Sequence, residues 1–129
     1  MTDTPPLRLL VVDDHEVIRR GLELCFDLFD DLEYVGGAAN GAEAIEKCRE
    51  LQPDGVLMDI MMPVMNGIDA TRQIHELWPH IRVIAFTSLN DEYEGRRMLD
   101  AGAVAIIMKV MAIDELRTAI HKAFSVNTS

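Results

Sequence analysis

The chain has 129 residues, the length of one ordinary domain, and 49% of them are hydrophobic, so a packed core is expected. A formal net charge of −10 argues against direct nucleic-acid binding, because affinity for a phosphate backbone depends largely on lysine and arginine contacts. No apolar stretch approaches the roughly 20 residues that span a bilayer, and no secretory signal pattern opens the chain. We therefore expect a cytoplasmic protein that binds neither membrane nor DNA directly.

No repeat, low-complexity tract or interior linker divides the chain, so a single domain over residues 1–129 is predicted. Residues 1–6 are expected to form a loose arm, and residues 125–129 a tail or the start of a linker. The two cysteines, Cys25 and Cys48, lie in helical patterns away from each other and from histidine. This spacing indicates reduced thiols rather than a disulfide framework or a metal site.

Short apolar runs alternate with helical patterns along the chain. In order, they are run 7–12, helix 16–29, run 33–39, helix 41–51, run 55–59, helix 66–77, run 81–87, helix 91–102, run 103–109 and helix 112–124. The first, fourth and fifth runs are nearly continuous, which is typical of strands buried on both faces of a parallel sheet.

The helical patterns have recognisable boundaries and faces. Asn40 is predicted to cap the second helix, and Pro79 prevents the third from continuing. Apolar spacings of three and four predict buried faces that include Leu77 on the third helix and Leu99 on the fourth. The fourth helix is the weakest, because it contains Gly95 and has a thin apolar stripe.

Five strand–helix units in succession predict a three-layer α/β sandwich with right-handed crossovers. Five units are too few for a closed eight-stranded barrel, so an open, doubly wound parallel sheet is expected. In such sheets, ligands bind beyond the carboxyl ends of the strands.

Polar residues stand at these strand ends. Asp13 and Asp14 follow the first run, while Asp59, Thr87 and Lys109 end the third, fourth and fifth. Adjacent strands lie about 4.8 Å apart, and two like charges at 4 Å repel by about 4 kcal/mol at an effective dielectric of 20. Three carboxylates at one edge therefore need a counter-charge, which a hard divalent cation and Lys109 would supply. Such a cluster suits phosphoryl transfer.

Four sequence segments together resemble the receiver domain of two-component response regulators. They are VVDDHEVIRRGL, MDIMMPVMNGIDA, the FTS step and the closing lysine, and the DDHEVIRRGL opening is most similar to the nitrate-regulator (NarL/LuxR) branch. The resemblance covers essentially the whole chain. It implies a CheY-like, flavodoxin-like (βα)5 fold with sheet order 2-1-3-4-5.

The resemblance also implies roles for individual residues. Asp59 would accept a phosphoryl group from the phosphohistidine of a sensor histidine kinase or phosphotransfer protein. Asp14, Asp59 and the backbone carbonyl of Met61 would ligate Mg²⁺, with Mn²⁺ as a substitute, and Asp13 would act through water. Lys109 would pair with Asp59 at rest and bind a phosphoryl oxygen afterwards. Thr87 would donate its hydroxyl to the phosphoryl group and draw its loop inward.

The domain would then be a switch rather than an enzyme with an outside substrate. Phosphorylation would alter the face formed by the fourth helix, fifth strand and last helix. A homodimer would form through that face or through the first and last helices.

Three departures from the family pattern involve four positions. Ile106 stands where many receivers carry an aromatic ring, so the switch is expected to run through Thr87 and its loop alone. Val110 replaces a frequent proline, and a trans Lys109–Val110 bond is expected because a non-proline cis bond costs about 2.5–4 kcal/mol. Met61 and Leu89 offer no hydrogen bond to a hydrolytic water, so slow self-dephosphorylation is expected.

Other readings remain open. One alternative is the receiver piece of a DNA-binding regulator whose helix-turn-helix lies elsewhere. Another is an unphosphorylated pseudo-receiver that only binds a partner, and the complete set of Asp13, Asp14, Asp59, Thr87 and Lys109 argues against it. An aspartyl phosphatase would need a DxD arrangement on the first strand, which reads DDHE here. His15 either tunes the acidic pair or, the favoured reading, opens the first helix and faces solvent.

Overall fold

The computed structural model describes residues 4–88 and 92–125. Leu89, residues 1–3 of the predicted arm and residues 126–129 of the predicted tail fall outside these ranges. The elements are β1 Leu7–Val12, α1 Glu16–Phe26, β2 Leu32–Ala38, α2 Gly41–Leu51, β3 Gly55–Met58, α3 Gly67–Leu77, β4 Arg82–Thr87, α4 Glu92–Ala101, β5 Ala105–Met108 and α5 Ile113–Phe124.

The five strands form one parallel sheet in the order β2-β1-β3-β4-β5. This confirms the predicted doubly wound fold and its strand order. The β1–β2 ladder is irregular, because Leu9 pairs with Tyr34 and Leu10 with Gly36, which leaves Val35 as an extra residue in β2. The remaining ladders keep their register.

Alternation along the central strands divides the core into two layers. On β1, Leu10 and Val12 pack toward α2, α3 and α4, whereas Leu9 and Val11 pack toward α1 and α5. Both layers contain fully buried side chains, so β1 is covered on both faces as its continuous apolar run predicts.

The fifth apolar run was predicted to be buried on both faces, and this prediction is wrong for β5. The strand lies at the edge of the sheet, and Ile106 is 38% exposed although Ile107 beside it is buried. Leu77 and Leu99 were also wrongly assigned to the core, since they are 50% and 45% exposed. Leu77 is the last residue of α3, and α4 buries Met98 instead of the adjacent Leu99.

Helix ends follow local capping chemistry. The Asn40 side chain accepts the Glu43 N–H at 2.9 Å, which confirms the predicted cap of α2, and α3 ends two residues before Pro79. The α1 pattern continues to Phe29, yet the helix ends at Phe26. The Phe29 N–H bonds to the Phe26 carbonyl at 3.0 Å, so the chain tightens into a turn there.

Two further expectations can be checked in this fold. The peptide bonds among the described residues include none in the cis form, as predicted for Lys109–Val110. Within residues 4–88 and 92–125, none of the helices has the length and apolar character needed to cross a bilayer.

A cluster around Asp31 joins the start of β2 to α5. The Arg117 Nε donates to both carboxylate oxygens at 3.1 and 3.0 Å, and His121 Nε2 lies 2.5 Å from one of them. The guanidinium also stacks 4.8 Å from the ring centroid of Phe29. Burial opposes ionisation, but the hydrogen bonds from Arg117 and His121 outweigh it and hold the pKa of Asp31 below its usual value.

We expect Asp31→Asn to lower the free energy of unfolding by about 1 kcal/mol at neutral pH, the scale of a partly exposed ion pair. Because the folded-state pKa is depressed, this stabilisation is complete above the ordinary value of 3.8 and disappears as pH falls through the folded-state pKa. Urea denaturation from neutral to acidic pH measures the difference. Asp30→Asn, at the adjacent exposed residue, is the control. A wild-type advantage that persisted unchanged at the acidic end would contradict the assignment.

Candidate functional site

Backbone hydrogen bonds at the carboxyl ends of the strands hold the predicted site residues near one another. The Asp13 N–H bonds to the Ala38 carbonyl at 3.0 Å, and the Asp59 N–H bonds to the Val12 carbonyl at 2.9 Å. On the other side, the Lys109 N–H bonds to the Thr87 carbonyl at 2.9 Å. The ladders of the sheet therefore continue to the residues of the site and fix where their side chains begin.

Lys109 lies between two buried carboxylates. Its Nζ is 2.5 Å from Asp13 Oδ2 and 3.4 Å from Asp59 Oδ2. It is also 5.8 Å from the ring centroid of Phe86, which borders the site near the end of β4. The sequence predicted Asp59 as the resting partner of Lys109, but the nearer oxygen belongs to Asp13.

The two carboxylates differ in protonation behaviour. Burial raises the pKa of both, and for Asp13 the hydrogen bonds from Lys109 and His15 outweigh it, so its pKa falls below the usual value. For Asp59, burial and the neighbouring charge of Asp13 outweigh the attraction of Lys109, so its pKa is raised. Asp13 is thus the anchor of the ammonium, and Asp59 carries the more destabilised negative charge.

Asp14 and His15 complete the acidic edge toward solvent. Asp14 is partly exposed, and His15 Nδ1 lies 2.8 Å from Asp13 Oδ1 and 3.3 Å from Asp14 Oδ1. The hydrogen bond to Asp13 and the charge of Asp14 raise the pKa of His15. As predicted, His15 precedes α1 and its side chain is 66% exposed. Its contact with the two aspartates was not part of the favoured prediction.

The remaining predicted residues surround this centre at different depths. Thr87 is buried at the end of β4, whereas Met61 is 62% exposed in the loop after β3. Ile106 is the second residue of β5, and its side chain packs closely against Gly95 of α4. A Cβ added to Gly95 would lie 2.9 Å from Ile106 Cδ1. The structure thus links Ile106 to α4.

The donor set fits a divalent cation with oxygen ligands. One ligand atom from each of Asp13, Asp14, His15 and Asp59 lies within 4.8 Å of the others. Three carboxylates around one small space match the ligands that Mg²⁺ prefers.

Gly67, the first residue of α3, holds the loop after Asp59 in place. Its N–H bonds to the Ile60 carbonyl at 2.8 Å. A Cβ at this position would overlap the carbonyl oxygen of Asp59 and lie 3.0 Å from Ile60 Cα. Glycine is therefore required here for the close approach of two backbones.

We expect Gly67→Ala to lower the free energy of unfolding by about 1–3 kcal/mol, the usual cost of inserting a methyl group where backbone must move. Gly21→Ala is a matched control, because its Cβ would meet nothing within 4 Å in the middle of α1. That variant should gain about 0.5–1 kcal/mol from helix propensity. Urea denaturation of the two variants tests this, and equal stabilities would refute the close-approach argument.

Comparisons with known proteins agree with this geometry. Residues 9–121 match the family model described as the response regulator receiver domain. The response regulator protein VraR of Staphylococcus saprophyticus is 38% identical over 120 residues, which is 93% of this chain and 57% of the relative. The chain therefore spans little more than half the length of that curated relative.

Solved structures show the same likeness. The receiver domain of the putative response regulator NarL from Mycobacterium tuberculosis has a TM-score of 0.87 and 25% identity, covering 95% of this chain and 100% of that one. A CheX–CheY–BeF3–Mg complex from Borrelia burgdorferi has a TM-score of 0.86 and 28% identity, covering 95% and 92%. The chain belongs to the receiver domain family of two-component response regulators, with relatives in the NarL/LuxR group.

Proposed function

We propose that this receiver domain is a switch in which Asp59 accepts a phosphoryl group from the phosphohistidine of a sensor histidine kinase or phosphotransfer protein. The observation that carries the proposal is the buried carboxylate of Asp59 beside the Lys109 ammonium at 3.4 Å. Family membership supports the same role. Receiver domains are signalling switches rather than conventional enzymes, and self-catalysed acceptance of the phosphoryl group is the chemistry proposed for Asp59.

The geometry distinguishes the two oxygens of Asp59. Oδ1 accepts the Ile60 N–H at 2.9 Å, whereas Oδ2 faces Lys109. We assign Oδ2 as the nucleophile: it forms the O–P bond while the P–N bond to the donor histidine breaks and the imidazole leaves with its electron pair and takes up a proton. Burial and the charge of Asp13 raise the pKa of Asp59, and the charge of Lys109 acts in the opposite direction by stabilising the carboxylate.

Asp13, Asp14 and Asp59 are the side chains that would hold Mg²⁺, with Mn²⁺ as a substitute and the Met61 carbonyl as a further ligand. When bound, this cation supplies the positive charge that neutralises the phosphoryl oxygens. The likeness to the CheY of the magnesium-containing complex supports this assignment.

Lys109 and Thr87 then respond to the new group. Lys109 stays anchored by Asp13 at 2.5 Å and turns its remaining N–H donors toward a phosphoryl oxygen. The hydroxyl of Thr87 donates to the same group and draws its loop inward. The Lys109 N–H bonds to the Thr87 carbonyl, which joins the backbones of the two residues at this edge of the sheet.

The output surface is proposed to be the face of α4, β5 and α5. Ile106 is exposed on β5 and packs against Gly95, so movement of either residue changes the α4–β5 contact. A homodimer through this face, or through α1 and α5, is one proposed readout. The domain itself is proposed not to bind nucleic acid, in keeping with its charge of −10.

A role in transcription is the second part of the proposal. The chain covers 57% of VraR of S. saprophyticus, and its structural likeness includes a DNA-binding response regulator of the LuxR family from Staphylococcus aureus. We infer that this receiver is part of a DNA-binding regulator in the cytoplasm. The free thiols of Cys25 and Cys48 are in keeping with that location, where cysteines stay reduced. A pseudo-receiver that only binds a partner is the alternative that phosphorylation would exclude.

Incubation with a small phosphodonor and Mg²⁺ should add the mass of one phosphoryl group to the intact chain. Asp59→Asn, which keeps the size of the side chain, should gain none, and removing the cation with a chelator should abolish the gain in the wild type. Intact-mass spectrometry measures all three. Addition of phosphate to Asp59→Asn would place the acceptor elsewhere, and no addition to the wild type would favour the pseudo-receiver.

We expect the phosphorylated state to decay slowly, over many minutes or longer. Met61 is apolar and exposed beside the site, so its side chain offers no hydrogen bond to an attacking water. Leu89 was expected to act in the same way and lies outside the described residues. Following the intact mass after removal of the donor gives the lifetime. Met61→Asn should shorten it, and decay of the wild type within seconds would contradict the proposal.

Ile106→Tyr should enlarge the phosphorylation-dependent changes in α5, because it restores an aromatic ring to the site next to α4. Amide chemical shifts with and without BeF3 and Mg²⁺ measure the change. Ile106→Leu is the control, since it keeps the volume and adds no ring. Identical α5 shifts in the two variants would show that coupling does not pass through position 106.

A further inference from the structure

Arg19 reaches back from α1 to the end of β1, where the first two acidic residues of the site stand. Its Nη1 donates to the backbone carbonyl of Asp13 at 2.5 Å, across six positions of the chain. Arg19 is half-buried, so this bond lies partly out of water. A hydrogen bond from a charged donor is roughly twice as strong as one between neutral groups. The bond constrains the carbonyl of Asp13, whereas the contacts described above involve its N–H and its carboxylate.

β2 provides the room for the arginine side chain. A Cβ added to Gly37 would lie 3.1 Å from Arg19 Cδ and 2.5 Å from the Tyr34 hydroxyl oxygen, so both side chains lie over this glycine. Gly37 precedes Ala38, whose carbonyl accepts the Asp13 N–H. The apolar stem of Arg19 therefore packs against the segment of β2 that holds Asp13, while its guanidinium bonds to the carbonyl of that residue.

The Asp13 carbonyl belongs to the peptide group that leads into Asp14. Because a peptide group is planar, fixing the direction of this carbonyl also fixes the direction in which the chain continues to Asp14. These two residues supply two of the three carboxylates assigned to the cation in the proposed function. One bond from Arg19 thus acts on both of them through their shared peptide.

We propose that Arg19 is a positioning residue for the phosphoryl-transfer site: it holds the Asp13–Asp14 peptide so that both carboxylates are preorganised for the divalent cation. This inference rests on the metal assignment of the proposed function. Loss of a group that orients metal ligands weakens metal binding by about 10–100-fold. We expect the lower end of that range, because Arg19 acts through the backbone.

Two measurements on the unphosphorylated full chain test the proposal: the ¹³C chemical shift of the Asp13 carbonyl and a calorimetric titration with Mg²⁺. Arg19→Met keeps an apolar stem and removes the donor, so the carbonyl resonance should move upfield and Mg²⁺ binding should weaken about tenfold. Arg20→Met, at the adjacent exposed arginine, removes the same charge and should change neither. An unmoved carbonyl resonance or unchanged Mg²⁺ affinity in Arg19→Met, or equal weakening in Arg20→Met, would overturn the proposal.

Arg19→Lys separates the hydrogen bond from the charge. Its ammonium is a point charge one atom nearer the backbone than Nη1, so we expect this variant also to lose both the carbonyl shift and the Mg²⁺ affinity. Loss of the shift with full affinity would mean that the positive charge acts at a distance, and would overturn the proposal. Retention of both would mean that lysine makes the same bond, in agreement with it. If Arg19→Met does not fold, Arg19→Gln, whose neutral side chain is shorter, replaces it with the same expected results.

Neither measurement needs phosphoryl transfer. If the wild type gained no phosphate, the proposed switch would fail, and the carbonyl shift and Mg²⁺ affinity would still decide the role of Arg19. If the wild type were phosphorylated and Arg19→Met bound Mg²⁺ normally, the switch would stand and the positioning role would fall. A wild type that bound no Mg²⁺ would also overturn the positioning role.

Discussion

The partly buried ammonium of Lys109 between Asp13 and Asp59 is the interaction on which the functional edge of the sheet depends. It joins residues 96 positions apart, and the parallel strand order makes that possible. Without the ammonium, two carboxylates would face each other, at a cost of about 4 kcal/mol for a 4 Å separation and an effective dielectric of 20. The same arrangement lowers the pKa of Asp13, whereas the pKa of Asp59 stays raised by burial and by the charge of Asp13, which separates an anchoring carboxylate from a reactive one.

Most of the fold follows from hydrophobic periodicity, since five apolar runs and five helical patterns in alternation admit few arrangements other than a doubly wound sheet. The misassigned residues lie where burial depends on which elements pack beside them, and periodicity alone does not predict that packing. The run at β5 looks like a central strand, but Ile106 is exposed because strand order, not composition, makes β5 an edge. Leu99 is apolar and helical, yet α4 buries Gly95, Met98 and Ala101 and leaves Leu99 45% exposed.

The location of the candidate site was also predictable, because chain order and sheet topology bring Asp13, Asp59 and Lys109 to one edge. The contacts between individual side chains were not predictable from the sequence. Lys109 is long enough to reach either carboxylate, and the choice of Asp13 depends on packing that no spacing rule describes. The contact of His15 was signalled only by its position next to two aspartates. The close approach of Gly67 to Asp59 depends on a loop conformation that the sequence leaves open.

The extra residue at Val35 has a consequence for how this domain behaves among copies of itself. β2 is an outer strand of the sheet, and an outer strand with an uninterrupted row of N–H and C=O groups is a template for strands of other molecules. A bulge interrupts the register and increases the local twist, so an incoming strand cannot pair along the whole length of β2. At the opposite edge, β5 offers four residues, too few for extended pairing. The two rims thus resist edge-to-edge aggregation, and association between domains is left to helical surfaces and side chains.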